Sequence, residues 1–300
     1  MKTALIGYGY WGKILCKYID ISTKFTLIKI FDKFFQKENK RFTNQIQDIL
    51  KDEIKVVFIA SSLEKHYQLA KLCLENNKHV FCEKPLVLNN NKLNHLMNLA
   101  NKKNRCLFTD YTWLASKSIK KIKATIPGFT NIYYVNMAIK QFGKFYQKDN
   151  VYEVIGSHLL SILFYLFPKI KFRFEFDEYD NHKGQLNAGV IRIYSNSIKG
   201  KICTSLYNPC KERLIYIRSD KEILCFNPLA DYSLQVYKYN CTNSYLKTKE
   251  KYSFDESNKI KYTLDDFYNN INKNNNHKKK KKKKVTEVLA QYRSSKTNES

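Results

Sequence analysis

The spacing of apolar residues near the N-terminus predicts a strand, a helix and a second strand. Residues 3–6 form a short apolar run, and Ile14, Leu15 and Tyr18 then recur at helical spacing. A second strand-like run follows at residues 25–31. This order predicts a βαβ unit, in which the two strands are parallel.

The same alternation continues to about residue 114. Apolar runs of strand length are separated by helical patterns, as in a doubly wound parallel sheet with helices on both faces. The further strands are predicted at 55–60, 79–82 and 106–111, and the helices at 67–74 and 93–100. We therefore predict an α/β Rossmann domain over residues 1–114.

Strand patterns dominate the rest of the chain. Phe172, Phe174 and Phe176 alternate with other residues, which is the period of a strand with one buried face. One apolar helix is predicted at 152–167, and further strands at 201–206, 214–218 and 223–226. These patterns predict an α+β domain over residues 115–300, with a mostly antiparallel sheet backed by helices.

A run of seven lysines, residues 278–284, follows an asparagine-rich stretch. Because like charges repel one another, residues 272–284 are predicted to form a mobile loop. A helical segment resumes at Val285, so the run resembles an insertion between two helical segments.

The net charge of +26 has only a small influence on the predicted function. A polyanion-binding protein is one alternative, since summed positive charge attracts nucleic acid and membrane surfaces. Arginine, which recognises phosphate and guanine, is scarce, however, and lysine is spread along the whole chain. We therefore expect neither nucleic acid nor a membrane as a partner.

The eight cysteines form no C-x-x-C pair and have no histidines at zinc spacing. They are typical of small buried side chains in a reducing compartment, and no metal site is predicted. Residue 1 leads directly into a strand, and no apolar stretch reaches 18 residues. The expected location is the cytoplasm.

Gly7-Tyr8-Gly9-Tyr10-Trp11-Gly12 is a G-x-G-x-x-G motif that follows a strand and opens a helix, as dinucleotide binding requires. Its glycines permit a tight turn, approach of the pyrophosphate and close packing of helix on strand. Asp32 ends the second strand, where a carboxylate accepts hydrogen bonds from ribose hydroxyls. This favours NAD, whereas Lys33 leaves NADP open because it is placed to meet a 2′-phosphate.

Several segments resemble the Gfo/Idh/MocA oxidoreductases, a family named for glucose-fructose oxidoreductase and inositol dehydrogenase. The resemblance rests on the glycine motif, on Ala60-Ser61-Ser62 followed by His66, on residues 78–86 with Glu83-Lys84-Pro85, on Gly156-Ser157-His158, and on residues 208–213. Its sugar and nucleotide-sugar dehydrogenases are the most similar members. The resemblance implies hydride transfer between NAD(P) and a secondary carbinol or ketone of a sugar or nucleotide sugar.

The resemblance also implies the site residues. Lys84 and His158 are the candidate catalytic residues, because an ammonium stabilises a developing oxyanion and a histidine accepts a hydroxyl proton near neutral pH. Tyr111 and Trp113 are candidates for lining the substrate site, although a core role is equally open. The implied cofactor-binding residues are Gly7, Gly9, Tyr10, Trp11, Gly12, Asp32, Ala60, Ser61, His66, Glu83 and Lys84.

One position departs from the family pattern. Many relatives have an aspartate four residues before the histidine, where this chain has Val154. Glu153 is adjacent but points about 100° away on an α-helix. A catalytically impaired dinucleotide-binding protein, acting as a sensor or assembly partner, is therefore a second alternative. The resemblance further implies that the domain over residues 115–300 binds the substrate and mediates oligomerisation, giving a homo-oligomer that is either a dimer or a tetramer.

Overall fold

A computed structural model describes residues 1–34, 39–182, 185–273 and 279–297. The chain divides into two compact units. Unit 1 comprises Met1–Ala115 and Asn258–Ala290, and unit 2 comprises Ser116–Ser257 and Gln291–Ser300. In the described part of the chain, no helix is both long enough and apolar enough to cross a membrane.

Unit 1 contains a six-stranded parallel sheet with the strand order β3-β2-β1-β4-β5-β6. The change of direction between β1 and β4 is that of a doubly wound sheet. The strands are β1 (Lys2–Ile6), β2 (Thr26–Phe31), β3 (Phe42–Thr43), β4 (Val56–Ile59), β5 (His79–Cys82) and β6 (Leu107–Thr109). The α-helices between them are α1 (Tyr10–Asp20), α2 (Gln47–Leu50), α3 (Leu63–Glu75) and α4 (Asn90–Lys102).

Unit 2 contains an eight-stranded sheet with the order β14-β13-β12-β11-β7-β10-β9-β8. Only the pair of β7 with β10 is parallel among the paired strands. The strands are β7 (Tyr134–Phe142), β8 (Arg173–His182), β9 (Gln185–Tyr194), β10 (Lys199–Ser205), β11 (Tyr207–Arg218), β12 (Glu222–Phe226), β13 (Leu234–Asn240) and β14 (Tyr245–Tyr252). Its helices are α5 (Lys117–Thr125) and α6 (Ser157–Leu166). The predicted fold class is confirmed.

Helix α7 (Lys259–Asn272) belongs to unit 1, whereas the sequence places residues 258–290 in the second domain. Leu264, Phe267 and Ile271 form its buried stripe and join the core of the parallel sheet. The Phe267 ring stacks on that of Phe25 at 5.8 Å. An amphipathic stripe shows that a helix is buried but not against which sheet, so the sequence could not make this assignment.

Helix α8 (Lys279–Thr297) includes residues 279–284, which the sequence places in a mobile loop, while residues 274–278 of that loop lie outside the described residues. Its buried residues Val285, Val288, Leu289 and Tyr292 recur at intervals of three, one and three residues, as on one helical face. Burial of this stripe, together with the good helix propensity of lysine, favours a helix over an extended lysine run. Lys278 lies outside the described residues.

Candidate functional site

The glycine turn after β1 has the geometry that dinucleotide binding requires. Gly7 has φ of +90°, and a Cβ there would lie 2.6 Å from the Ala60 carbonyl oxygen. A Cβ on Gly12 would lie 2.0 Å from the Gly7 carbonyl oxygen, so α1 can approach the turn only with glycine at this position. At Gly9, by contrast, a Cβ would meet nothing within 4 Å. The turn is therefore closed on its inner side and open at Gly9.

The open position lies at the start of α1. Gly9 is the N-cap and provides no side-chain cap, and its carbonyl accepts the Lys13 N–H at 3.0 Å. The first N–H groups of a helix have no acceptor within it and favour an anion at this end. The Trp11 Nε1 is buried and has no hydrogen-bond partner among the described residues. These features fit a dinucleotide phosphate.

Asp32 lies directly after β2, at the neighbouring strand end. Its Oδ2 accepts the Tyr8 N–H at 2.7 Å, and its Oδ1 accepts the Phe34 N–H at 2.9 Å. Two backbone donors therefore hold the carboxylate beside the glycine turn, and each oxygen keeps a further lone pair. Lys33 is exposed. The arrangement fits a ribose hydroxyl pair.

His66 on α3 connects two loops at the same edge of the sheet. Its Nδ1 is 2.9 Å from the Pro85 carbonyl oxygen, and its Nε2 is 3.1 Å from the Ser61 carbonyl oxygen. Burial lowers the pKa of His66, which outweighs the raising effect of the two carbonyls. A neutral ring donates to only one of them. His66 thus holds the 83–85 turn near Ser61.

Glu83 and Lys84 follow β5, and the Lys84–Pro85 peptide bond is cis. Glu83 is buried, whereas Lys84 is half-buried. Asp110 follows the neighbouring strand β6 and is fully buried beside Glu83. Burial, and then the facing Asp110 carboxyl, raise the pKa of Glu83 well above its ordinary value. The sequence gives no signal for Asp110 beyond its place at a strand end.

The two aromatic candidates have different environments. Tyr111 is buried, and burial raises the pKa of its hydroxyl. Trp113 is half-buried, and the Lys259 ammonium lies 4.2 Å from the centroid of its ring. Within unit 1, Tyr111 is therefore a core residue, and Trp113 has the greater exposed surface.

His158 is the second residue of α6 in unit 2 and is half-buried. One turn of π-helix, Tyr152–Gly156, precedes it, so the 100° step of an α-helix does not describe Glu153. Glu153 is fully buried, and its Oε1 lies 2.5 Å from Nε of Arg293 on α8. Its Oε2 accepts the Asn150 N–H at 3.1 Å. Sequence spacing could not reveal this pair, because its partners are 140 residues apart.

Val154, the position at which the family resemblance predicts an aspartate, is also buried. The π-turn therefore contains one carboxylate, and Arg293 holds it. In the described ranges, no cluster of three or more His, Cys, Asp or Glu residues could hold a metal ion.

A parallel sheet with this glycine turn, open helix end and strand-end aspartate defines a dinucleotide-binding Rossmann protein. Residues 1–111 match the model of the Gfo/Idh/MocA oxidoreductase family, described as an oxidoreductase family with an NAD-binding Rossmann fold. The sequence of residues 1–111 is therefore similar to this family, as the sequence motifs predict, and its cofactor class is NAD(P).

Curated relatives match over short segments. Myo-inositol 2-dehydrogenase of Thermotoga maritima is 32% identical over 77 residues, which is 26% of this chain. That alignment spans 23% of the relative's own length, and a second, with an oxidoreductase of Bacillus subtilis, spans 19%. Both curated relatives are thus matched over less than a quarter of their own length.

Solved structures resemble nearly the whole chain in fold. The UDP-N-acetylglucosamine 3-dehydrogenase of Acidithiobacillus ferrooxidans has a TM-score of 0.82 at 16% identity, covering 97% of this chain and 96% of its own. A 3-ketoreductase of Actinomadura kijaniata, in complex with TDP-benzene and NADP, has a TM-score of 0.82 at 10% identity, covering 96% and 95%. At these identities the likeness shows a shared fold.

Proposed function

We propose that this protein is an NAD(P)-dependent oxidoreductase that transfers a hydride between the nicotinamide and a secondary carbinol or ketone of a sugar or nucleotide sugar. The observation that carries the proposal is the open position at Gly9 at the N-terminus of α1, with Asp32 and Lys84 following β2 and β5 of the same parallel sheet. Ligands of such sheets bind at the carboxyl ends of the strands.

The dinucleotide supplies the hydride acceptor or donor when it is bound. The chain supplies the binding: Gly9 leaves space for the pyrophosphate, the first N–H groups of α1 donate hydrogen bonds to it, and Asp32 accepts hydrogen bonds from the ribose hydroxyls. A carboxylate at this position disfavours a 2′-phosphate, so we propose NAD as the preferred cofactor. Lys33 is the residue that would support NADP.

Two side chains are proposed for the proton chemistry. The Lys84 ammonium hydrogen-bonds the reacting oxygen and stabilises the negative charge that develops there as the hydroxyl proton leaves or, in the reverse direction, as hydride reaches the carbonyl carbon. His158 is proposed to hold the hydroxyl proton, as a base whose ordinary pKa lies near neutral pH. The fold shared with a UDP-sugar dehydrogenase and a 3-ketoreductase supports the choice of sugar-type substrates.

The first experiment is a fluorescence titration of the purified protein with NADH and NADPH. Gly9→Val places a side chain in the open face of the turn and should weaken NADH binding at least tenfold, or about 1.4 kcal/mol. Gly128→Val is the matched control, because Gly128 also has nothing within 4 Å of its Cβ position and lies in unit 2. Equal NADH affinity in both variants would contradict the proposed cofactor site.

Activity is then assayed on UDP-N-acetylglucosamine and myo-inositol with NAD⁺. Lys84→Met keeps most of the side-chain length but removes the ammonium, so we expect kcat to fall by at least about 100-fold while NADH still binds. An unchanged kcat would remove Lys84 from the mechanism.

The burial of Val154 supports a second candidate function. A valine here supplies no carboxylate to orient His158, and Glu153 is held by Arg293. A protein that binds NADH as a sensor or assembly partner would show tight binding with no turnover of any sugar tested. Val154→Asp supplies the carboxylate that is missing. If the rest of the site is intact, this variant should then turn over a sugar substrate.

A further inference from the structure

Two carboxyl groups meet in the interior of unit 1, at the ends of adjacent strands. Cys82 of β5 pairs with Thr109 of β6, so the next residues, Glu83 and Asp110, are neighbours. Backbone hydrogen bonds continue past both strands: the Glu83 N–H donates to the Ile59 carbonyl at 2.9 Å, and the Asp110 N–H donates to the Cys82 carbonyl at 2.8 Å. The sheet thus fixes both side chains in place.

The four carboxyl oxygens divide into two that have donors and two that have none. Glu83 Oε2 accepts the Lys84 N–H at 3.3 Å, and Asp110 Oδ1 accepts the Thr112 hydroxyl at 2.8 Å. Glu83 Oε1 and Asp110 Oδ2 are buried and have no hydrogen-bond donor in the described part of the chain. A buried carboxylate oxygen without a donor is costly, and two facing ones repel each other as well.

We propose that Glu83 and Asp110 share one proton, forming a carboxyl dyad with a single negative charge that offsets and orients the ammonium of Lys84. The shared proton turns the two unsatisfied oxygens into one hydrogen bond, as in other buried pairs of carboxyl groups. No third residue is required to satisfy them.

The titration behaviour agrees with this geometry. Burial raises the pKa of both carboxyl groups, and the facing Asp110 raises the pKa of Glu83 further. The charged group that lowers the pKa of both is Lys84. His66, from the adjacent helix α3, contacts the Pro85 carbonyl of the same turn, and Lys84 contributes to the lowering of its pKa.

The dyad bears on the reaction through Lys84, so this part of the inference rests on the proposed function. The single negative charge of the dyad balances the single positive charge of Lys84. A dyad with two negative charges, or with none, would change the electrostatic field at that ammonium. Glu83 and Asp110 are therefore positioning residues rather than catalytic ones. Substitution that preserves the charge should be tolerated, and substitution that removes it should not.

Amide variants separate the dyad from an ordinary ion pair. In Glu83→Gln or Asp110→Asn, the amide donates to the remaining carboxylate and so imitates the dyad with its proton, charge included. The double variant is neutral. Infrared spectroscopy of the full-length protein near neutral pH should show the carbonyl stretch of a protonated carboxyl group in the wild type, and either single substitution should abolish it. Absence of this band in the wild type would overturn the proposal.

Stability against pH is a second measurement that does not depend on activity. The folded protein keeps a proton that the unfolded chain releases above its ordinary pKa of about 4. The urea midpoint of the wild type should therefore decline as pH rises from about 5, until the dyad itself ionises. Glu83→Gln should remove this decline, and the exposed control Glu75→Gln should keep it. Parallel curves for the two variants would contradict a shared proton.

Measurements of turnover test whether the dyad acts on the reaction through Lys84. Asp110→Asn, which keeps one carboxylate, should retain kcat within about threefold of the wild type, whereas the double variant Glu83→Gln/Asp110→Asn should lose about tenfold in kcat with little change in the KM for NAD⁺. Unchanged kcat in the double variant would refute the positioning role. If the wild type binds no NADH, the proposed function fails, while the infrared and pH measurements still decide whether the proton is shared.

Discussion

Two buried glutamates of this protein, one in each unit, are neutralised in different ways. Glu83 of unit 1 faces Asp110, another acid, while Glu153 of unit 2 meets the guanidinium of Arg293. A guanidinium remains charged at every physiological pH, so the pair in unit 2 is permanent. The pair in unit 1 requires a proton and therefore depends on pH. Whether a buried carboxyl group carries a charge therefore depends on its partner as well as on its burial.

The largest expected effect comes from removing the guanidinium. Arg293→Met leaves Glu153 buried with only the Asn150 N–H as donor, and breaking such a pair costs about 3 kcal/mol of unfolding free energy. Chemical denaturation of wild type and variant measures the loss. The matched control is Arg173→Met, whose ion pair with Glu175 is exposed on both sides and should cost at most about 1 kcal/mol. Equal losses would mean that burial of Glu153 is unimportant.

A smaller effect is expected when both members of the pair are replaced. Glu153→Gln/Arg293→Met leaves no buried charge, so its free energy of unfolding should exceed that of Arg293→Met by about 2 kcal/mol. Chemical denaturation of the two variants measures the difference. Equal stabilities would mean that the loss in Arg293→Met does not come from an uncompensated buried charge.

The smallest expected effect concerns two threonines near the dyad. Thr112→Val removes the hydroxyl that donates to Asp110 and should destabilise the fold by about 1 to 2 kcal/mol. Thr109 is the matched control, because its buried hydroxyl has no hydrogen-bond partner among the described residues. Thr109→Val should be neutral or slightly stabilising, since the methyl group replaces an unsatisfied polar atom. Comparable losses in both variants would argue against a specific role for the Thr112 hydroxyl.

The parts of the site that could be predicted are those that depend on residues close together in the sequence. Gly7, Gly9 and Gly12 follow a strand and open a helix, and each has the environment that its place in the motif implies. The position of Asp32 could be predicted as well, because the glycine motif and the length of the second strand fix its distance from the motif along the chain. The alternation of strands and helices also predicts that ligands bind at the carboxyl ends of the parallel strands. Local periodicity and spacing are sufficient for all of these.

Other parts depend on pairs of residues far apart in the chain. Arg293 and Glu153 are separated by 140 residues, and Asp110 meets Glu83 only because β5 and β6 are adjacent. The assignment of α7 to unit 1 and the helical state of residues 279–284 likewise follow from what each apolar stripe packs against.

The sequence by itself thus determined the class of fold, the dinucleotide motif and the candidate residues Lys84 and His158. Only the tertiary structure decided which buried charges have partners, because hydrogen bonding and desolvation depend on which side chains face each other in space. The identity of those partners separates a permanent ion pair from a proton-dependent dyad, and no periodicity along the chain encodes it.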